Sequence, residues 1–379
     1  MYKRILTPPN NSFFLLGLRG SGKSSWVREN FPSAKCINLL NEADYQRYLA
    51  NPSFFRDELR TRPKGSWVIV DEVQRLPQLL NEVHSAIEEQ QLKFALLGSS
   101  ARKLRQAGVN LLGGRAYMRT MYPFLPQELG ADFSLQQTLR FGSLPLIITS
   151  ELPQEQLQAY VQLYLKKEIQ AEALVRNLGG FARFLPIAAL FHGQSINIAG
   201  IARDSGVART TVEGYLKILE DTLLCFRLPG YEPRLRVKER THPKWYWIDG
   251  GVARAAKGVL SPPGPEEQGM LFEGLIAMLL KAGNDLKYCE YDALSYWSPA
   301  GVDSEVDFVM ERGSEKIAIE VKTVREPQNN HLKGLRTITK LPKLCRRILI
   351  YPGDKDRTTN DGIEILGFSS FLEQLNSGL

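Results

Sequence analysis

Residues 17–24 read Gly17-Leu18-Arg19-Gly20-Ser21-Gly22-Lys23-Ser24, and Ser25 follows. Two glycines, a lysine and a hydroxyl at this spacing make a loop that can cradle phosphates. The glycines let backbone N–H groups turn inward around an anion. Lys23 would reach the terminal phosphates of a nucleotide, and the Ser24 hydroxyl would ligate Mg²⁺. The loop follows the apolar run Phe13-Phe14-Leu15-Leu16 and precedes Ser25-Trp26-Val27. Strand, loop and helix therefore stand in the order that the chemistry requires, with the positive helix end directed at the phosphates. The loop is expected to bind a nucleotide with Mg²⁺.

A second strand signal, Trp67-Val68-Ile69-Val70, ends in Asp71-Glu72. An acid at a strand end holds the water shell of Mg²⁺ in phosphoryl-transfer sites, which is the role given to Asp71. Glu72 is then placed to polarise the attacking water. A third run, Phe94-Ala95-Leu96-Leu97, ends in Gly98-Ser99-Ser100. Ser99 is the candidate γ-phosphate sensor; a plain strand-to-turn exit explains either serine equally well. Gly113-Gly114-Arg115 offers a guanidinium on a flexible loop, an arginine-finger candidate in cis or toward a neighbouring copy, with Arg102 as its competitor.

A second constellation lies near the C-terminus. In Asp303-Ser304-Glu305-Val306-Asp307-Phe308-Val309, a period of two places Asp303, Glu305 and Asp307 on one strand face. Ile317-Ala318-Ile319-Glu320-Val321-Lys322 alternates as well, and the turn at Arg312-Gly313-Ser314 would pair the two as a hairpin. Asp307, Glu320 and Lys322 then come together: two carboxylates to hold Mg²⁺ and an ammonium to orient a water. Three acids on one strand repel one another, so solvent or a cation must relieve them. The Asp…Glu-x-Lys set resembles the restriction-endonuclease-like fold. In that resemblance Glu273, on the amphipathic helix expected over 266–281, corresponds to a further acidic metal ligand.

Between these sites, Ile196–Val207 and Ala208–Leu219 read as a short helix, a Ser-Gly turn and a second helix. Val207, Val212, Leu216 and Leu219 would be buried, leaving Arg209, Thr210, Thr211 and Lys217 outward for phosphates and base edges. Segment 224–244 follows with six basic side chains (Arg227, Arg234, Arg236, Lys238, Arg240, Lys244) against Glu232 and Glu239, a local +4 out of the chain's +7. It reads as a basic wing hairpin contacting the DNA backbone, with Arg234, Arg236 and Lys238 as the candidate contacts. A protein-docking module with a solvated basic loop is the competing reading.

The elements that must position these groups alternate. Strand, phosphate loop and helix are followed by a strand at Cys36–Leu39, a helix over about 43–60, the Asp-Glu strand, a helix over about 78–90 and the sensor-like strand. Such alternation predicts an α/β fold, a P-loop parallel sheet with helices on both faces. The helix pair with its basic wing adds a winged-helix segment, and the Asp…Glu-x-Lys resemblance implies a small α/β nuclease-like domain after it. Over 379 residues, 43% apolar and 23% charged, the chain is ordinary globular material. The division is 1–130, 131–250 and 251–379. No 18-residue apolar run exists, so no membrane partner is expected, and four scattered cysteines suit a reducing cytoplasm.

The phosphate loop, residues 70–77 (Val-Asp-Glu-Val-Gln-Arg-Leu-Pro), residues 97–102 (Leu-Gly-Ser-Ser-Ala-Arg) and Gly113-Gly114-Arg115 resemble prokaryotic AAA-type ATPases. The likeness is to the group with a C-terminal domain of unknown function; Tyr122-Pro123-Phe124 and Ile248-Asp249-Gly250-Gly251 fall where that family has similar blocks. The resemblance implies an AAA+ core that takes ATP with Mg²⁺, a winged helix, a nuclease-like C-terminal domain and a possible homo-oligomer. Two functions follow. One is an ATPase acting on DNA. The other is a nucleotide-operated switch that docks a protein partner, with the nuclease-like fold inert.

Overall fold

A computed structural model describes residues 2–100, 102, 112–165, 178–231, 242–299, 301 and 304–379. Asp303, Arg234, Arg236 and Lys238 lie outside the described residues. The chain divides into two units. One holds Met1–Phe133, Leu144–Glu151 and Lys217–Leu224; the other holds Ser134–Ser143, Leu152–Leu216 and Cys225–Leu379.

The first unit is built on β1 (Phe13–Gly17), β2 (Lys35–Asn38), β3 (Trp67–Asp71), β4 (Lys93–Gly98) and β5 (Tyr117–Met121). They form one parallel sheet in the order β2-β3-β4-β1-β5. Parallel strands are covered on both faces, which explains why β1, β3 and β4 are runs of apolar residues without alternation. Phe14, Val70, Phe94 and Leu96 pack with Tyr48, Phe55 and Leu80 from the flanking helices. The order sets β4 between β1 and β3, so the phosphate loop and the Asp-Glu pair leave the same sheet edge two strands apart.

The single helix expected over 43–60 is two: α2 (Glu42–Ala50) and α3 (Ser53–Arg60). Pro52 disfavours a helical residue before it, so Asn51 is extended and α2 ends at Ala50. The Asn51 side chain then accepts from Ser53 N–H at 3.0 Å and restarts the chain as α3. α1 (Lys23–Asn30) and α4 (Leu79–Gln90) lie close to their expected bounds.

The second unit has two sheets. A small one joins β6 (Gln194–Ser195), β7 (Cys225–Leu228) and β8 (Lys244–Trp247) in the order β6-β8-β7. The larger joins β9 (Ala293–Trp297), β10 (Val306–Arg312), β11 (Glu315–Val321), β12 (Leu344–Tyr351), β13 (Arg357–Thr358) and β14 (Glu364–Gly367). Its order is β13-β14-β12-β11-β10-β9. The Asp-rich strand begins at Val306, with Ser304 and Glu305 before it. β10 and β11 form the anticipated antiparallel hairpin, closed from Arg312 to Glu315 around Gly313, whose φ is 60°. The long helix Pro265–Asp285 carries Glu273.

The helix pair is present as Ile198–Ser205 and Arg209–Asp221, separated by Gly206 at φ 61°. Val212, Tyr215, Leu216 and Leu219 are buried. Arg209, Thr210 and Lys217 are exposed and Thr211 is half-buried. The Ile248-Asp249-Gly250-Gly251 block has a packing explanation. Asp249 caps the helix Gly250–Lys257 by accepting from Val252 N–H at 3.0 Å and also accepts from Ser143 N–H at 2.8 Å. A Cβ on Gly251 would sit 2.0 Å from the Phe141 carbonyl oxygen. No helix among the described residues is long and apolar enough to cross a membrane.

Candidate functional site

The loop after β1 has the backbone that its glycines permit. Gly20 and Gly22 hold φ 78° and 91°, a region costly for any residue with a Cβ. Gly22 sits directly before α1, so the loop ends at a helix N-terminus. Lys23 is buried and donates to the carbonyls of Gly17 and Leu18 at 2.8 and 3.0 Å, which folds its side chain back over the loop. The Ser24 hydroxyl donates to Asp71 Oδ2 at 2.6 Å. A hydroxyl and a buried carboxylate in contact at the ends of α1 and β3 form an oxygen donor set that suits Mg²⁺. This pairing joins the two motifs read separately above. Ser21 Oγ is buried with no hydrogen-bond partner.

Glu72 follows with φ 59° and ψ 42°, an uncommon conformation for a residue other than glycine. It turns the side chain away from the course of the strand. There it accepts from Gln74 Nε2 at 2.5 Å, and the same nitrogen donates to Ser99 Oγ at 3.1 Å. Gln74 is 3% exposed, and a Cβ on Gly98 would lie 2.5 Å from its Oε1, so glycine at the end of β4 makes room for it. Gln74 is a site residue that the sequence reading does not single out. Ser99 is buried within the site, and Ser100 Oγ instead accepts from the Arg102 N–H at 3.1 Å.

The two arginines are both engaged. Arg115 is paired with Glu88 and donates to the Gly113 carbonyl at 3.3 Å. Arg102 Nη1 meets Asp221 Oδ2 at 3.3 Å. Beside the loop opens a cavity of about 750 Å³ whose lining includes Gly20, Gly22, Trp26, Tyr2, Phe124 and Leu146. The Tyr2 and Phe124 rings meet edge to face at 5.1 Å, and the Arg4 guanidinium lies 4.7 Å over Phe124. The N-terminal segment is fixed by Glu128. Its carboxylate lies 3.1 Å from Arg4 and accepts from Ile5 and Leu125 N–H at 2.8 and 3.0 Å. Burial raises the pKa of Glu128 against the opposing pull of Arg4.

In the second unit Asp307 and Glu320 sit on neighbouring strands, one register step beyond the Phe308–Ile319 pair. Asp307 Oδ2 accepts from Val321 N–H at 2.9 Å, and Lys322 donates to Glu320 Oε1 at 2.5 Å. Glu320 Oε2 is buried without a partner. Burial, then the neighbouring Asp307, pushes the Glu320 carboxyl well above the carboxylate range. Burial opposes the charge on Lys322, but Asp307 and Glu320 outweigh it and raise its pKa.

Two assignments change here. Lys244, counted above with the solvated basic wing, is 5% exposed on β8. Its ammonium contacts Glu305 at 2.5 Å, Glu273 at 3.0 Å and Asp307 at 3.6 Å. Glu273, expected as a metal ligand, gives Oε1 to Lys244 and to the Tyr246 hydroxyl, the latter at 2.5 Å. Burial, then Asp307, raises its pKa. Among the described residues no three His, Cys, Asp or Glu side chains converge to hold a metal. The strand Lys244-Trp245-Tyr246-Trp247 carried a usable signal: a lone lysine among aromatics, sharing a face with Tyr246.

Residues 9–130 match an AAA domain. Residues 132–262 and 268–371 match two domains of unknown function (DUF8612 and DUF4143). The chain thus pairs an AAA domain with a DUF4143 C-terminal domain. An uncharacterized protein of Haemophilus influenzae is 21% identical over 388 residues, covering 94% of this chain and 93% of that protein. Among solved structures, a signal transduction ATPase with numerous domains from Pyrococcus horikoshii is 12% identical over 73% of this chain, with a TM-score of 0.27. This chain spans 45% of that ATPase. Protein VC1899 from Vibrio cholerae is 13% identical, with 97% and 96% of the two chains covered and a TM-score of 0.22.

Proposed function

We propose that the chain is a Mg²⁺-dependent ATPase of the cytoplasm whose nucleotide state governs its helix-turn-helix segment on DNA. The contact between Ser24 and Asp71 at 2.6 Å, beside Lys23, carries this reading. In the bound state the N–H groups of residues 18–24 surround the β-phosphate. Lys23 leaves the Gly17 and Leu18 carbonyls for the phosphate oxygens. Ser24 and Asp71 would hold Mg²⁺, which would supply charge neutralisation for the transferring phosphoryl group. Glu72 accepts the proton of the attacking water, and Ser99 sits beside it to meet the γ-phosphate. The base occupies the cavity against Tyr2 and Phe124.

Arg102 follows the sensor serines and grips Asp221, the last residue of the second helix of the helix-turn-helix. That pair is the path by which a shift at Ser99 would reach the helix carrying Arg209, Thr210 and Thr211. Arg115 stands exposed enough for a neighbouring copy to recruit it in a homo-oligomer. The burial of Lys244 among the acids favours the part of the second reading in which the nuclease-like fold is inert.

The test is ATP turnover and DNA binding by the full chain. Lys23→Ala should lower ATP turnover at least about tenfold, since the lysine meets charge that develops during transfer. Affinity for duplex DNA should fall steeply between about 50 and 200 mM salt and change with ATP against ADP. Absence of any DNA binding at low salt would move the assignment to the protein-partner switch.

A further inference from the structure

The acid cluster of the second unit has a cation of its own. An ammonium has three N–H donors, and Lys244 faces three carboxylates, those of Glu273, Glu305 and Asp307, at 3.0, 2.5 and 3.6 Å. Its side chain is 6% exposed. The backbone beneath it is paired on both sides, to Ser195 in β6 and to Leu228 in β7, so the strand holds the lysine root in place. Trp245 and Trp247, facing the other way, are fully buried and fix which side chains point at the acids. Tyr246 shares the lysine's face and donates its hydroxyl to Glu273 at 2.5 Å. The Tyr296 ring lies 5.6 Å from the ammonium and adds a favourable aromatic face.

We propose that Lys244 is the resident cation of this cluster, occupying the position that a divalent metal would need against Glu273 and Glu305, so that neither carboxylate is a metal ligand. A divalent ion on those oxygens would have to approach within bonding distance of an ammonium already touching both. Like charges that close in a water-poor site exclude one another. What remains for a metal is Glu320 Oε2, buried without a partner among the described residues, and Asp307 on the neighbouring strand. The resemblance to nuclease folds therefore holds for the strand pair but not for the helix-borne acid. The inference stands apart from the ATP reading, because no nucleotide-site residue enters it.

The test uses the full chain, free of nucleotide, in an Asp71→Asn background that silences the phosphate-loop cation site. Mn²⁺ is the probe, with free ion followed by electron paramagnetic resonance. With Lys244 present, Glu273→Gln and Glu305→Gln should each leave Mn²⁺ binding within twofold of the parent. Lys244→Met should bind Mn²⁺ at least tenfold more tightly, and adding Glu273→Gln should remove that gain. The melting temperature of Lys244→Met should rise on adding Mn²⁺. A tenfold loss of binding on Glu273→Gln or Glu305→Gln with Lys244 intact overturns the proposal. A folded Lys244→Met protein that binds no more tightly than its parent overturns it too. If Lys244→Met does not fold, the two single substitutions decide alone.

Discussion

The Gln74 amide donates to the Glu72 carboxylate across 2.5 Å, two residues along the chain and around a single 3₁₀ turn. The same nitrogen reaches Ser99 at 3.1 Å, so one buried side chain ties the proposed base to the proposed sensor. Removing it leaves both in place but unaligned. Gln74→Ala should lower kcat for ATP by about 10–100-fold, the range typical of general-base positioning, with KM changed by less than about threefold. Steady-state kinetics check this; an unchanged kcat would leave Gln74 a packing residue under Gly98.

The cavity beside the phosphate loop predicts the opposite kinetic pattern. Phe124 touches the proposed base and not the phosphates, so Phe124→Ala should raise KM for ATP roughly tenfold, about 1.4 kcal/mol of stacking and burial, and leave kcat nearly unchanged. The comparison that matters is with inorganic triphosphate as competitor. Its inhibition should not respond to Phe124→Ala, because it has no base to place.

Arg102 and Asp221 form a partly buried pair, with side-chain exposures of 21% and 9%. Lys217 also contacts Asp221 at 3.4 Å. Arg102→Glu should repel Asp221 and abolish the difference in DNA affinity between the ATP and ADP states, while ATP binding persists. The double variant Arg102→Glu, Asp221→Arg should restore at least part of that difference. Such rescue is the signature of a direct coupling and separates it from general damage.

The phosphate loop was legible because its chemistry is contiguous: eight residues in a row carry the glycines, the lysine and the hydroxyl. Its partner strands were legible because parallel strands buried on both faces leave short, unbroken apolar runs ending in polar groups. The break at Pro52 shows where periodicity misleads, since apolar spacing continues across Asn51-Pro52 while the backbone cannot. Gln74 escaped because its role depends on a positive φ at Glu72, which no composition signal announces. Lys244 was misplaced for a different reason. Counting charge along a segment treats every lysine as solvated, and the three acids around this one are Glu273 on the helix Pro265–Asp285, Glu305 just before β10 and Asp307 within it. Of the strand acids, Glu305 and Asp307 both lie within 4 Å of the Lys244 ammonium, so a side-chain cation is the neighbour that the strand pattern alone does not reveal.

His192 supplies a pH signature for the second unit. It is 1% exposed, accepts from Trp247 N–H through Nδ1 at 3.1 Å, and its Nε2 is buried without a partner. Burial, then the charge of Lys257, lowers its pKa to about 3. In the unfolded chain the imidazole takes a proton near pH 6.5. The unfolded state therefore binds one more proton than the folded state between pH 6.5 and 3, and stability is lost as pH falls through that window. Above pH 6.5 the effect vanishes. Glu320, raised by burial and by Asp307 to about 8, acts with the opposite sign, stabilising the fold as pH falls from 8 toward 4.5. The net curve of the parent protein thus mixes the two, and a substitution isolates the histidine. His192→Asn keeps a polar atom near the Nδ1 position and removes the titration. Between pH 7.5 and 5.5 its unfolding free energy should gain on that of the parent by about 1.4 kcal/mol, one proton over one effective pH unit. Urea unfolding at the two pH values measures it. A difference that stays constant with pH would mean that His192 takes its proton inside the folded protein.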